Sequence, residues 1–299
     1  MSIRKIKFGM HKKTTGFFMT LPAIIVMLVT VLYPIGWSLV LSFSDSGSVF
    51  SGHFDFIGFD NYVKVLQSSA FQNAFGNTLK FVACTIVWEI VIGFLVALTI
   101  NSQPPGHKVF NLLFTLPLMM AALVAALQWR WMLTDQYGVI NNILSIFGIK
   151  GPTWFAKPDS AFWSIILCNL WLAVPFCILN LVSGLLAVPE SLYEAGKLDG
   201  ANMFQAFWYI TLPQLKPTVL TILVIRLADA FRVFDSIYIL TSGGPGNATE
   251  VISTYVYTTS FTKLQFGRGA AASFLELIVV GSICFALFRL MGNSEEAVM

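Results

Sequence analysis

The chain has 299 residues, of which 56% are hydrophobic, 27 are Phe and only 11% are Asp, Glu, Lys or Arg. A soluble domain carries about 25% charged residues and could not hide this much apolar side chain beneath its own surface. Disordered, fibrous and nucleic-acid-coating chains need more charge still, and a net charge of +3 calls for no acidic partner, so the composition is that of an all-α polytopic membrane protein.

A helix needs about 20 apolar residues to cross ~30 Å of hydrocarbon. Six segments qualify. The first, Gly16–Phe43, has no charge between Lys13 and Asp45 and is too long for a cleaved signal peptide, so it reads as a retained span. The second runs from Thr78 to Ile100 around Glu89, and the third from Val109 to Leu133 with Arg130 near its far end. Ser160–Val188 is free of charge, Pro217–Leu240 is the most polar, and Gly269–Met291 encloses Glu276. The resulting division is a tail over 1–15, a six-span transmembrane domain over 16–291 and a second tail over 292–299. An even count puts both tails on one side. Arg4, Lys5, Lys7, Lys12 and Lys13 assign that side to the cytoplasm, and Lys108, Lys197, Lys216 and Arg289 agree. The outside loops are then 44–77, 134–159 and 242–268. They are too short for separate domains but long enough to offer a docking surface, as at Gly58-Phe59-Asp60-Asn61-Tyr62.

Charges within hydrocarbon cost several kcal/mol unless paired or wetted. In the fifth span Arg226, Asp229, Arg232 and Asp235 alternate in sign at a spacing of three, where helix neighbours meet. This ladder lines a translocation path, clamps helices together, or neutralises itself for packing. Glu89 and Glu276 line a cavity or, preferably, pair with a cation of another helix. Asn169, Trp171 and Asn180 are weaker candidates. Cys84, Cys168, Cys177 and Cys284 lie inside apolar runs and read as small filler. His11, His53 and His107 have no metal spacing, and there is no GxxxxGK[ST], GxSxG or HExxH. The reading is therefore a chain that is no enzyme, with no metal or cofactor of its own.

The inside loop over 189–216 is the most informative segment. Pro189 suits a first helical position, Ser191–Leu198 reads as a short helix, and Gly200 breaks it. Ala201–Leu212 reads as a second helix with Phe204, Phe207 and Trp208 on one face, ended by Pro213. The pair forms an elbow lying against the membrane; an amphipathic headgroup anchor is the alternative.

Glu194-Ala195-Gly196, Gly200, Ile210, Leu212 and Pro213 resemble, at full spacing, the EAA loop of permease subunits of binding-protein-dependent ABC importers. Gly196 replaces an alanine of that pattern. Asp199-Gly200-Ala201, Phe207 and the run Thr241-Ser242-Gly243-Gly244-Pro245-Gly246 resemble its carbohydrate, MalF/UgpA-type branch, as do Leu21-Pro22 and Tyr33-Pro34. The resemblance implies a six-span type I ABC importer permease fold in a bacterial inner membrane. It implies ATPase coupling through Glu194, Ala195, Gly196, Asp199, Gly200, Ala201, Ile210, Leu212 and Pro213. Binding-protein docking falls at Gly243, Gly244 and Pro245. The implied partners are a MalG-type permease, an ATPase dimer using ATP and Mg, a periplasmic binding protein, a sugar-class substrate and membrane lipid, with no nucleic acid. A competing reading, a secondary transporter or channel, rests on the span-five ladder.

Overall fold

A computed structural model describes residues 12–45, 55–102 and 105–295. Arg4, Lys5, Lys7, His11 and His53 lie outside the described residues, so the cationic tail on which the orientation mainly rests is not described. Within them the chain is helical, without a named strand.

Span one is α1 (Lys12–Met27), a wide turn (Leu28–Leu32) and α2 (Tyr33–Ser42). The wide turn is closed by the Tyr33 N–H donating five residues back to the Leu28 carbonyl, just ahead of Pro34. Proline has no N–H and its ring crowds the carbonyl four residues earlier. One extra residue in the preceding turn relieves that crowding without breaking the rod. None of the span's most apolar stretch is buried within the chain; α2 rests on the last helix.

Helix α3 (Asp60–Gln67) packs on the end of this span. The Asn61 amide donates to the Ser42 and Ser44 carbonyls at 3.0 and 2.8 Å, the Tyr62 hydroxyl meets Ser42 Oγ at 2.8 Å, and Phe59 and Tyr62 pack on Phe43. The Gly58–Tyr62 run is thus a staple between loop and span.

Span two, α4 (Ser69–Asn101), has 33 residues. At 1.5 Å per residue it overshoots the hydrocarbon, and its extra N-terminal turns, before Thr78, carry Asn73 and Asn77. The third segment is not one rod, contrary to the sequence reading. Val109–Met119 and Ala122–Met132 (α5, His107–Thr115, with a tight turn over Leu116–Met119, then α6) meet at 106°. Pro117 withholds an N–H, and Met120 is extended at φ −95°, ψ 138°. Counted as one bent span it completes six. A short outer helix, α7 (Val139–Ile146), leads to span four, α8 (Pro158–Leu186).

Spans two and four form the longest helix contact. They approach closely at Gly93, where an added Cβ would lie 3.0 Å from Cys177 Cβ; small residues let backbones approach in membranes. Span four meets span five similarly at Gly184, where a Cβ would lie 2.7 Å from Leu215 Cδ2. Phe81, Ile165, Ile166, Cys168, Phe231 and Ile237 centre the core. All four cysteines are free.

Helix α9 (Glu190–Leu198), α10 (Met203–Ala206), a second wide turn (Phe207–Thr211) and α11 (Leu212–Phe231) follow. The helix does not end at Pro213 as the sequence suggested, because the wide turn absorbs that proline as the first absorbs Pro34, with the Leu212 N–H reaching Phe207 O. Span five therefore begins at Met203 and stops at Phe231. Helix α12 (Asp235–Leu240) restarts after a break, and α13 (Ile252–Tyr257) and α14 (Phe266–Glu295) complete the chain.

Candidate coupling elbow and intramembrane ion pairs

Three constructions stand out. The first is the elbow. Gly200 has φ +80°, and the bonds around it are those of a tight helix C-terminus: its N–H donates to Lys197 O at 3.1 Å and that of Ala201 to Gly196 O at 2.9 Å. Asn202 then starts α10 by exchanging bonds with Gln205, each 2.9 Å, a reciprocal cap. Pro189 precedes α9 as its extended cap, φ −60° and ψ 130°, rather than entering the helix. The two arms are tied together. A Cβ on Gly196 would lie 2.8 Å from Ile210 Cδ1, and the Tyr193 hydroxyl meets Thr211 Oγ1 at 3.0 Å. Phe207 turns inward onto Phe94 of span two, rings 5.8 Å apart. Phe204 and Trp208 stay exposed, and the three rings adjoin, with Trp208 5.7 Å from Phe207 and 6.1 Å from Phe204. Glu194, Ala195, Asp199, Leu198 and Met203 are exposed as well.

The second is an ion-pair network. Glu89, fully buried on span two, accepts two bonds from Arg226 of span five, at 2.8 and 3.0 Å. Arg226 also donates to Asp229 at 3.1 Å, and Arg232 to the other oxygen of Asp229 at 3.3 Å. The preferred pairing of Glu89 is met. The ladder is shorter than expected, however. The helix ends at Phe231 and Asp235 opens α12, where a carboxylate suits the helix N-terminus; among the described residues no ion pair joins Arg232 to Asp235. Glu276 finds no cation either, its Oε1 buried without a hydrogen bond, as is Asn169 Oδ1. Trp171 packs edge-on against Trp129 and Asn180 bonds Phe176 O on its own helix. Arg130 leaves its span to donate to Ile239 O at 2.7 Å.

The third is the glycine loop after α12. Gly243 and Gly246 take φ +85° and +58°. Thr249 Oγ1 bonds Gly244 O at 2.6 Å and meets Thr241 Oγ1 at 2.8 Å. Asn73 and Asn77 donate to Asn247 O at 2.8 and 3.2 Å, and Asn77 also to Glu250 O at 3.0 Å. Gly243 is buried and Gly244 and Pro245 are half-buried, while Ser242, Gly246 and Asn247 form the open edge. Burial pushes the Glu250 carboxyl above its ordinary value, against the opposing pull of Lys263.

Residues 89–298 match the family model described as binding-protein-dependent transport system inner membrane component. The chain belongs to that family. This permease is 35% identical over 285 residues to the trehalose/maltose transport system permease protein MalF of Thermococcus litoralis, covering 95% of each. It is 33% identical over 254 residues to the sulfoquinovosyl glycerol transport system permease protein SmoG of Agrobacterium fabrum, covering 84% of this chain and 81% of that one. It superposes with a TM-score of 0.80 and 26% identity on a chain of a bacterial alginate ABC transporter in complex with an alginate pentasaccharide-bound periplasmic protein, covering 93% and 96%. It is an ABC importer permease of the type I fold, a multi-pass inner-membrane component. Nothing supports the ion-driven alternative.

In this permease the EAA-spaced residues converge on one elbow, whereas the intramembrane acids part company: Glu89 joins the Arg226 network and Glu276 pairs with no cation among the described residues. Asn73, Asn77, Tyr193 and Thr211 escaped the sequence reading, since a lone amide or hydroxyl carries no signal until its partner, more than 100 residues away for the asparagines, is in place.

Proposed function

We propose that this permease carries a sugar or sugar derivative across the membrane, delivered by a periplasmic binding protein and driven by separate ATPase subunits that use ATP and Mg. The observation that carries the coupling half is the elbow. A loop transmits force only if it is stiff, and this one is braced by the Gly200 turn, the Asn202–Gln205 cap, the Gly196–Ile210 contact and the Tyr193–Thr211 bond. Its Glu194, Leu198 and Met203 are exposed and so available to an ATPase groove. The carbohydrate half rests on the relatives, whose names specify trehalose, maltose, a sulfoquinovosyl glycerol and an alginate oligosaccharide.

Both termini lie in the cytoplasm in this reading, and a MalG-type permease completes the membrane part. Electrostatics supports such a partner. Asp229 and Arg232 have side chains 43% and 81% exposed in the isolated chain, and charges at membrane depth face water or protein, not lipid. We place the translocation path along that side of span five, with the Glu89–Arg226 pair behind it. Binding-protein docking falls on the outer loops around Gly243–Pro245, chiefly through the open edge at Ser242, Gly246 and Asn247.

The test is isolation of the native complex from gently solubilised membranes, followed by uptake in proteoliposomes. Recovery of an ATPase and a second permease, with sugar uptake that stops without ATP, is the expected result. A chain recovered alone, or uptake that continues without ATP, sinks the proposal.

A further inference from the structure

Beyond the break in span five, five aromatic rings touch in series. Phe234 stacks on Tyr238, centroids 5.1 Å apart and planes 14° from parallel, and both meet Tyr257 at 5.2 Å. Tyr257 meets Phe261 at 5.4 Å, and Phe261 meets Phe266 at 6.1 Å. Three elements supply them: the break and α12, the α13 segment with its wide turn, and the start of α14. Ser253 fixes the array by donating from α13 to the Val233 carbonyl in the break.

The rings do not serve the chain's own core. Val233, Ile237 and Leu240 of the same segment fill that core, and Phe234 and Tyr238 leave from other positions of the turn. Phe261 is 63% exposed and Tyr238 39%. The array also starts two residues beyond Arg232, on the stretch where Asp229 and Arg232 already require water or protein. A lipid-facing aromatic belt has no reason to continue a charged surface; a wet passage does.

We infer that Phe234, Tyr238, Tyr257, Phe261 and Phe266 form a stacking track for sugar rings at the outer mouth of the path. An aromatic face is apolar in its body and weakly negative, which suits the C–H face of a pyranose, and the two tyrosyl hydroxyls supply polar handles beside it. A row of such faces accepts successive sugar units without fixing one register, so it guides a saccharide inward and retards its return to the outside. This inference rests on the carbohydrate reading above.

The test uses the complete importer in proteoliposomes, with uptake and ATP hydrolysis measured together on a panel of neutral and acidic mono- to pentasaccharides. For whichever saccharide the wild type imports, Phe261→Ala and Tyr257→Leu lower sugar imported per ATP hydrolysed by about tenfold, the size expected for losing one good aromatic contact, with more effect on longer saccharides. Hydrolysis stimulated by the loaded binding protein stays within about twofold, and Phe261→Trp restores coupling. In the same complex a membrane-impermeant maleimide labels Phe261→Cys above the wild-type background, and the imported saccharide slows labelling. Unchanged coupling, no labelling at that position, or loss of the partner permease from the alanine variant would each overturn the track, the last making it a subunit interface. A wild-type complex that imports nothing in the panel sinks the carbohydrate reading instead.

Discussion

Gly200, at φ +80°, is the residue on which the elbow turns. A β-branched side chain in that conformation costs about 1–2 kcal/mol, too little to unfold a six-span protein but enough to shift a short turn. Gly200→Val is therefore expected to insert and assemble at normal abundance while uptake falls sharply; Glu194→Lys, on the exposed face of α9, does the same by charge reversal. Abundance by immunoblot beside uptake separates the two effects, and wild-type uptake by either variant ends the coupling assignment. The Glu89–Arg226 pair obeys a different rule. Removing one partner of a buried pair strands the other charge, typically at about 3–5 kcal/mol. Arg226→Met, which strands the fully buried Glu89, should lower the thermal unfolding midpoint of the purified complex, and Arg226→Met with Glu89→Ala should recover much of the loss. Equal midpoints for single and double variants would falsify the pairing as a stability element. Gly196 was legible only as a departure from an alanine; a methyl there would lie 2.8 Å from Ile210 Cδ1, which would have to shift to admit it.

Among the elements, the two prolines Pro34 and Pro213 teach the same lesson. Pro213 reads as a helix end in sequence and Pro34 lies inside a predicted span, yet each is carried through by a wide turn directly upstream. Pro117, lacking such a turn, sits instead at a 106° bend. Local chemistry states that a bond is missing; it does not state whether the helix widens or breaks, because that depends on what packs around it. The glycine loop gives a pH prediction. Its Glu250 carboxyl is raised above the ordinary 4.5 by burial, so the folded loop holds its proton more tightly than an unfolded one. The sign follows: the contribution is fully present below about pH 4.5 and is lost as pH rises through the raised value. Hydrogen exchange across 241–257, corrected for intrinsic rates, should show protection falling over that window, and Glu250→Gln should abolish the fall.

On the scale of the whole molecule, the isolated chain is incomplete. Span one buries none of its most apolar stretch within the chain, and span five presents Asp229 and Arg232 outward. Expressed without its partner subunits, the chain should be depleted from the membrane and restored by co-expression of the second permease; stable, monodisperse chain in the absence of partners would remove this argument. The membrane class, the apolar segments and the elbow with its EAA spacing were fixed by sequence alone, because each depends on composition or on residues close together along the chain. Tertiary structure decided the rest. It chose Arg226 for Glu89 and no cation for Glu276, bent span three, ended span five at Phe231, and brought Asn73 and Asn77 under the glycine loop. Those outcomes turn on which helices lie side by side in a medium without water, where a buried polar group is satisfied by whatever neighbour the packing brings within about 3 Å.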